Sequence, residues 1–188
     1  MKQDLITSLR AAIVSLLAFT VLTGIVYPAL VLAIGQVAFS RQANGDPQLV
    51  GQGFTSPAYF WSRPSAVGPF PYNAMTSSGA NQGMNNPALH EAVAERITAL
   101  QAADPGNTEK VPSDLVTASA SGLDPHITPA GAYYQAPRIA RLRGLSVDAV
   151  RTLIADHTED RTLGFLGEPR VNVVALNRAL DARTRPPR

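Results

Sequence analysis

Residues 11–40 read AAIVSLLAFTVLTGIVYPALVLAIGQVAFS, thirty residues without a charged side chain. The hydrocarbon core of a bilayer is about 30 Å thick, and about 20 apolar residues in a helix cross it. Lipid offers no partner for backbone N–H and C=O groups, so a lone stretch at that depth must close its hydrogen bonds internally as an α-helix. The run exceeds the requirement, which leaves room for tilt or for extension past one interface. A cleaved secretory leader has an apolar region of about 7–15 residues followed by a small-residue cleavage site. This run is longer and no such site follows it. Core helices of soluble proteins seldom continue so far without a charge. The stretch is therefore read as one transmembrane helix, residues 11–40. Residues 1–10 precede it as a short N-terminal segment, and residues 41–188 follow as a soluble domain.

Charge sets the expected orientation. Lys2 and Arg10 precede the span with Asp4 between them, whereas Arg41 is the only basic residue after it until Arg63. Positive charge at the start places the N-terminus in the cytoplasm and residues 41–188 outside it. The chain has no cysteine, which is compatible with an oxidising compartment and implies no disulfide framework. Residues 41–188 carry 14 Lys and Arg (16 less Lys2 and Arg10) against 13 Asp and Glu (14 less Asp4). With charge so nearly balanced and no basic stripe interleaved with aromatics, nucleic acid is not an expected partner. The basic end from Arg183 reads as a frayed tail.

Gly24, Tyr27 and Pro28 lie inside the span. Proline removes one helical hydrogen bond and kinks the helix, and Gly24 offers a smooth patch for close approach of a neighbouring helix. Gly24 and Pro28 are thus the candidate helix-packing residues. After the span, residues 41–85 are rich in Gly, Pro, Asn and Ser, the chemistry of turns. Phe54, Tyr59, Phe60, Trp61, Phe70 and Tyr72 punctuate this stretch. A disordered linker would have few aromatics, so an extended loop pinned by its rings is expected.

Helical signals follow. Asn86-Pro87 pairs an N-cap with proline at the first helical position, and Leu89, Val93, Ile97 and Leu100 recur on one face until Asp104-Pro105-Gly106. Thr128-Pro129 opens a second helix, which Pro137 is expected to interrupt and Gly144 to end. Ser146 caps a third, with Val147, Val150, Leu153 and Ile154 facing inward. Val171, Val173 and Val174 form a β-branched run suited to a buried strand, and Leu176 and Leu180 lie on a closing helix. The fold class expected is α+β: one N-terminal transmembrane helix followed by a small soluble α+β domain.

Several chemistries find no motif. The only lysines are Lys2 and Lys110, and no GxxxxGK[ST] phosphate loop exists. HExxH and cysteine-based metal patterns are absent, so no metal site is expected. No GxSxG nucleophile elbow occurs, and the span has no ionisable residue of the kind that ion pathways carry. Ser121, Asp124 and His126 could be imagined as a hydrolytic triad, but such close spacing rarely brings three side chains into relay geometry. An Asx turn at Asp124-Pro125 is the simpler reading. His90 and His157 read as solvated surface. Gln135, Arg138, Arg141 and Arg143 cluster around Pro137. They form either a solvated basic helix face or an anion or partner-docking surface.

The sequence resembles the C subunit of the Kdp family of bacterial potassium-transporting ATPases. The resembling segments are GIVYP at 24–28, GQGF at 51–54, YFWSRPS at 59–65, PYN at 71–73, DLVTASASGLDPHITP at 114–129, QAPRIA at 135–140 and GEPRVNVVALN at 167–177. They keep the family's order over nearly the whole chain, and the segment 114–129 is the most specific. Two departures are visible. Between Asn44-Gly45 and Leu49-Val50 the family usually carries a longer, hairpin-like insert, where only Asp46-Pro47-Gln48 stand here. SSGAN at 77–81 replaces a more glycine-rich version.

The resemblance implies an accessory, non-catalytic subunit of an ATP-driven potassium pump in the bacterial inner membrane, needed for assembly and stability. Its partners would be a channel-like potassium-binding subunit, a P-type ATPase subunit and a small membrane peptide. It further implies a catalytic chaperone that raises the ATPase subunit's affinity for ATP. Gln135 is the position nominated for nucleotide contact, with Arg138 beside it, and no cofactor is expected to be held tightly, ATP being possible through the complex. Because ATP is cytoplasmic and the domain is expected outside, the support of ATP binding would be indirect, through one conformation of the complex. The competing readings are a membrane-anchored periplasmic hydrolase using Ser121, Asp124 and His126, and an anchored module for an extracellular ligand.

Overall fold

The structure is a computed structural model that describes residues 2–184. Arg185 and the three residues after it, most of the expected basic tail, lie outside the described residues. The chain divides into two compact units, Met1–Asp46 and Pro47–Arg188.

The first unit is helical from its start. Helix α1 spans Lys2–Val21, a π-helical turn spans Leu22–Val26, and α2 spans Tyr27–Ala38. Leu5–Ala38, 34 residues, is long and apolar enough to cross a membrane, and none of it is buried within the chain. At about 1.5 Å per residue it extends about 50 Å, more than the hydrocarbon core requires. The π turn meets Pro28. Proline has no N–H to offer the preceding turn and its ring crowds the carbonyl there. The ladder widens just before it, with the Tyr27 N–H reaching back five residues to the Leu22 carbonyl. Thr23 adds a hydroxyl bond to the Phe19 carbonyl at 2.6 Å. The interruption that the sequence placed at Gly24–Pro28 is therefore a π-bulge, with the helix continuing through it. Beyond Phe39 a short helix, α3, Ser40–Ala43, turns the chain. Asn44 pairs its side-chain amide with that of Gln36, and Arg41 with Asp46 at 2.7 Å.

The second unit packs helices around a minimal sheet. Helix α4 spans Pro87–Ala103, β1 His126–Ile127, α5 Pro129–Arg143, α6 Val147–Asp156, β2 Thr158–Glu159, β3 Arg170–Asn172 and α7 Val173–Arg183. The sheet order is β1-β3-β2, antiparallel throughout, with Ile127 and Thr158 both registered on Val171. Caps set the helix starts: the side chains of Asn86, Thr128 and Ser146 accept from the N–H groups of Ala88, Gly131 and Ala149. Gly144, in the left-handed region at φ 66°, ends α5. Ile139, Val150, Leu153, Ile154, Val171, Leu176 and Leu180 fill the core with Phe60.

Three expectations change. The β-branched run is not one strand: Val171 is on β3, but Asn172 caps α7 by accepting from the Ala175 N–H at 3.0 Å, so Val173 and Val174 form the first turn of a helix. Helix α5 runs straight through Pro137. Pro137 and Tyr133, whose carbonyl loses its partner, both lie on the exposed side, where water can serve that carbonyl, while the buried side holds the helix in place. Val147 is exposed, and only Val150, Leu153 and Ile154 of its helix turn inward.

Candidate functional site

Residues 57–61, Pro-Ala-Tyr-Phe-Trp, leave a turn closed by the Tyr59 N–H on the Ser56 carbonyl at 3.2 Å and lie against α5 and α7, with no neighbouring strand to bond to. Buried backbone polar groups need partners, and two side-chain amides supply them. Asn177 on α7 accepts from the Phe60 N–H at 2.9 Å and donates to the Phe60 carbonyl at 3.0 Å. Gln135 on α5 accepts from the Trp61 N–H at 2.8 Å and donates to the Trp61 carbonyl at 3.3 Å. Each amide thus does for one residue what a partner strand would do. Between them they drive the fully buried ring of Phe60 into the core.

Two arginines complete the clamp. Arg138 is 2% exposed. It donates to the carbonyls of Pro57 and Tyr59 and to Gln135 Oε1, and its guanidinium stands 4.8 Å from the centre of the Trp61 ring. Burial pushes its pKa down to about 10, with the charge of Asp104 working the other way, so it stays protonated at neutral pH. Arg143, 7% exposed, donates to the Ala58 carbonyl, lies 4.4 Å over the Tyr59 ring and pairs with Asp181 at 2.8 Å. Buried guanidinium groups persist only when their charge is compensated. Arg138 achieves this through carbonyls and an amide oxygen. Arg143 uses only its Nε on a carbonyl and its terminal nitrogens make no hydrogen bond, so the charge of Asp181 and the Tyr59 ring face balance it.

These placements bear directly on the expected site. Gln135, 1% exposed, and Arg138 face the interior. The solvated basic face does not exist as such, because two of its three arginines are buried and only Arg141 reaches solvent. Arg141 pairs there with the buried carboxylate of Asp104 at 2.8 Å. Asn177 carried no sequence-based role. The available signal was a polar residue at a core position between Val173, Val174 and Leu180.

The imagined triad is not assembled. Ser121 is exposed, and its hydroxyl accepts from the Leu123 N–H at 3.1 Å. Asp124 and His126 do meet: the carboxylate accepts from the His126 N–H at 3.0 Å, the expected Asx turn, and lies 3.4 Å from Nδ1. Burial works to raise the Asp124 pKa, but the bonds from His126 and the charges of His126 and Arg63 outweigh it and hold the carboxyl below its usual value. The two line a cleft of about 290 Å³ with Arg63, Asp114, Glu168 and Arg170. Ser121 is not in its wall. His90 is exposed, whereas His157 is half-buried with Nδ1 2.9 Å from the Leu153 carbonyl. Among the described residues no group of His, Asp and Glu could hold a metal ion. In the span, Gly24 is exposed with nothing within 4 Å of where a Cβ would stand.

A helix long and apolar enough to cross a membrane, followed by a small α+β unit whose best-built polar cluster holds its own backbone, is the class of protein that the fold defines. The family described as K+-transporting ATPase, c chain (KdpC), matches residues 9–182, and the chain belongs to it. The Potassium-transporting ATPase KdpC subunit of Methylococcus capsulatus is 55% identical over 188 residues, covering 95% of this chain and 99% of that protein. The Herpetosiphon aurantiacus protein of the same name is 57% identical, covering 93% and 96%. The Polaromonas naphthalenivorans one is 55% identical, covering 93% and 94%.

Proposed function

We propose that this chain is a non-catalytic accessory subunit of an ATP-driven potassium pump, its N-terminus cytoplasmic and its soluble unit outside. It joins a channel-like potassium-binding subunit, a P-type ATPase subunit and a small membrane peptide. It raises the pump's apparent affinity for ATP by binding one conformation of the complex better than another, and the shift cannot exceed that difference in affinity. The observation that carries this reading is the span. Thirty-four residues of helix bury nothing within their own chain, and a π-bulge interrupts them beside Gly24 and Pro28. Small residues and local ladder breaks suit helix–helix packing in lipid better than plain tethering. The engagement of the whole Gln135 amide by Trp61 and neighbouring backbone favours the indirect route over direct nucleotide contact. The position of Ser121 disfavours the hydrolase.

Co-purification tests the proposal. The intact chain in mild detergent should bring down the other pump subunits, and Gly24→Leu should weaken that recovery because a bulky side chain blocks close approach. Recovery of the chain alone would remove the subunit reading. Protease added to intact spheroplasts should digest the soluble unit, whereas digestion only after lysis would reverse the orientation.

A further inference from the structure

A second cleft, of about 350 Å³, lies between loop 79–82 and residues 117–120, with Leu89 and Arg96 of α4 on its wall. The loop is seated firmly. Ser77 donates to the Ser121 carbonyl at 3.0 Å. A Cβ at Gly79 would stand 2.9 Å from the Ala120 carbonyl oxygen, so only glycine allows this approach. Asn81 is held at φ 50°, in the left-handed region. The lining differs in kind from that of the Asp124–His126 cleft. It has two guanidinium groups, Arg63 and Arg96, and two side-chain amides, Asn81 and Gln82, but no carboxylate.

The two arginines are only partly used by the protein. Arg96 donates to the Val116 carbonyl at 2.7 Å, and Arg63 reaches the next carbonyl, Thr117, at 3.4 Å. Arg63 also stands 3.4 Å from Asp124, a carboxylate it shares with His126. Among the described residues Arg96 makes no ion pair. A guanidinium carries five N–H donors, so several on each side chain remain for a ligand. The fork matches a carboxylate, and charge-assisted bonds of that kind are about twice as strong as neutral ones.

We propose that the Arg63–Arg96 cleft is an anion site that binds a carboxylate. The carboxylate comes either from a free small anion or from an acidic side chain of a partner subunit. Only the second source rests on the subunit reading above.

Calorimetry of the full chain in detergent with glutarate as probe tests it. The wild type should bind glutarate saturably, and Arg96→Gln should weaken binding roughly tenfold, about the loss of one charge-assisted pair. Gln82→Glu, a near-isosteric change at an exposed residue of the cleft wall, should keep the fold and abolish binding by adding a negative charge to the cleft. Arg151→Gln, on the exposed side of α6, should change nothing. A free anion as ligand predicts glutarate binding with subunit recovery untouched by Gln82→Glu. A partner's side chain predicts that Gln82→Glu also lowers recovery of the complex, and that added glutarate competes. Glutarate heats that do not saturate, or that are equal in wild type and Gln82→Glu, together with unchanged recovery, would overturn the proposal whether or not the chain is a pump subunit.

Discussion

In the first unit Leu16 is 67% exposed and Phe19 64%, while in the second Arg138 is 2% exposed and Arg143 7%. One chain leaves its apolar side chains bare and hides its charges. The inversion follows from two different surroundings. Lipid is as apolar as leucine, so a spanning helix needs only closed backbone hydrogen bonds and a route to its neighbours. In water, the buried backbone of residues 57–61 needs partners that no strand supplies, and the arginines and amides of α5 and α7 supply them. Polarity inside the soluble unit is therefore structural, and the surfaces open to partners lie elsewhere.

The comparison can be broken at its inner end first. Phe60→Ala should cost about 3–5 kcal/mol, the usual loss for a buried aromatic, measured by thermal unfolding of the detergent-solubilised chain. Trp61, the only tryptophan, is the fluorescence probe for that region. A loss under about 1 kcal/mol would mean that the segment is not part of the core. Asn177→Ala should follow, at about 2–4 kcal/mol, because it strands the N–H and carbonyl of Phe60 away from water and each buried orphan costs about 1–3 kcal/mol. Thr128→Ala should cost about 1 kcal/mol, the worth of one helix cap.

Those caps show what the sequence makes legible. Asn86, Thr128, Ser146 and Gly144 act on backbone within three or four residues, so local chemistry decides them. Val173 and Val174 were misleading because β-branching favours strands in general, yet one side-chain bond from Asn172 converts the run to a helix. Pro137 was misleading because burial of Ala136, Ile139 and Ala140 on the far side outweighs one missing bond on the wet side. The clamp was illegible for a different reason. Gln135 and Arg138 lie some 75 residues from the backbone they hold, and no local pattern reports that distance. The long apolar helix, by contrast, was legible from length and charge alone, although it begins at Leu5 and ends at Ala38 rather than running 11–40, and the kink expected from Pro28 is a π-helical turn just before it.

Acid should expose a smaller difference. Asp124 has a folded pKa below its ordinary value of 3.8, so its contribution is fully present above that value and is lost as pH falls through the folded one. Asp124→Asn should therefore be less stable than wild type at neutral pH, and the gap should close below about pH 4. A gap that stays constant in acid would remove the carboxylate's charge from the account. Gly24→Leu should have the smallest effect on stability, near zero for unfolding of the soluble unit, because its Cβ would meet nothing within the chain.

The central claim is that the soluble unit's polar core serves its own fold and reaches ATP only through the complex. Gln135→Ala tests it most directly, with the apparent Michaelis constant for ATP of the assembled pump measured beside subunit recovery and the unfolding of this chain. The account predicts that the constant rises only in step with lost stability and lost association, and returns to wild type in the fraction that remains assembled. A raised constant in a fully assembled complex, with unfolding unchanged, would contradict it and place Gln135 against nucleotide.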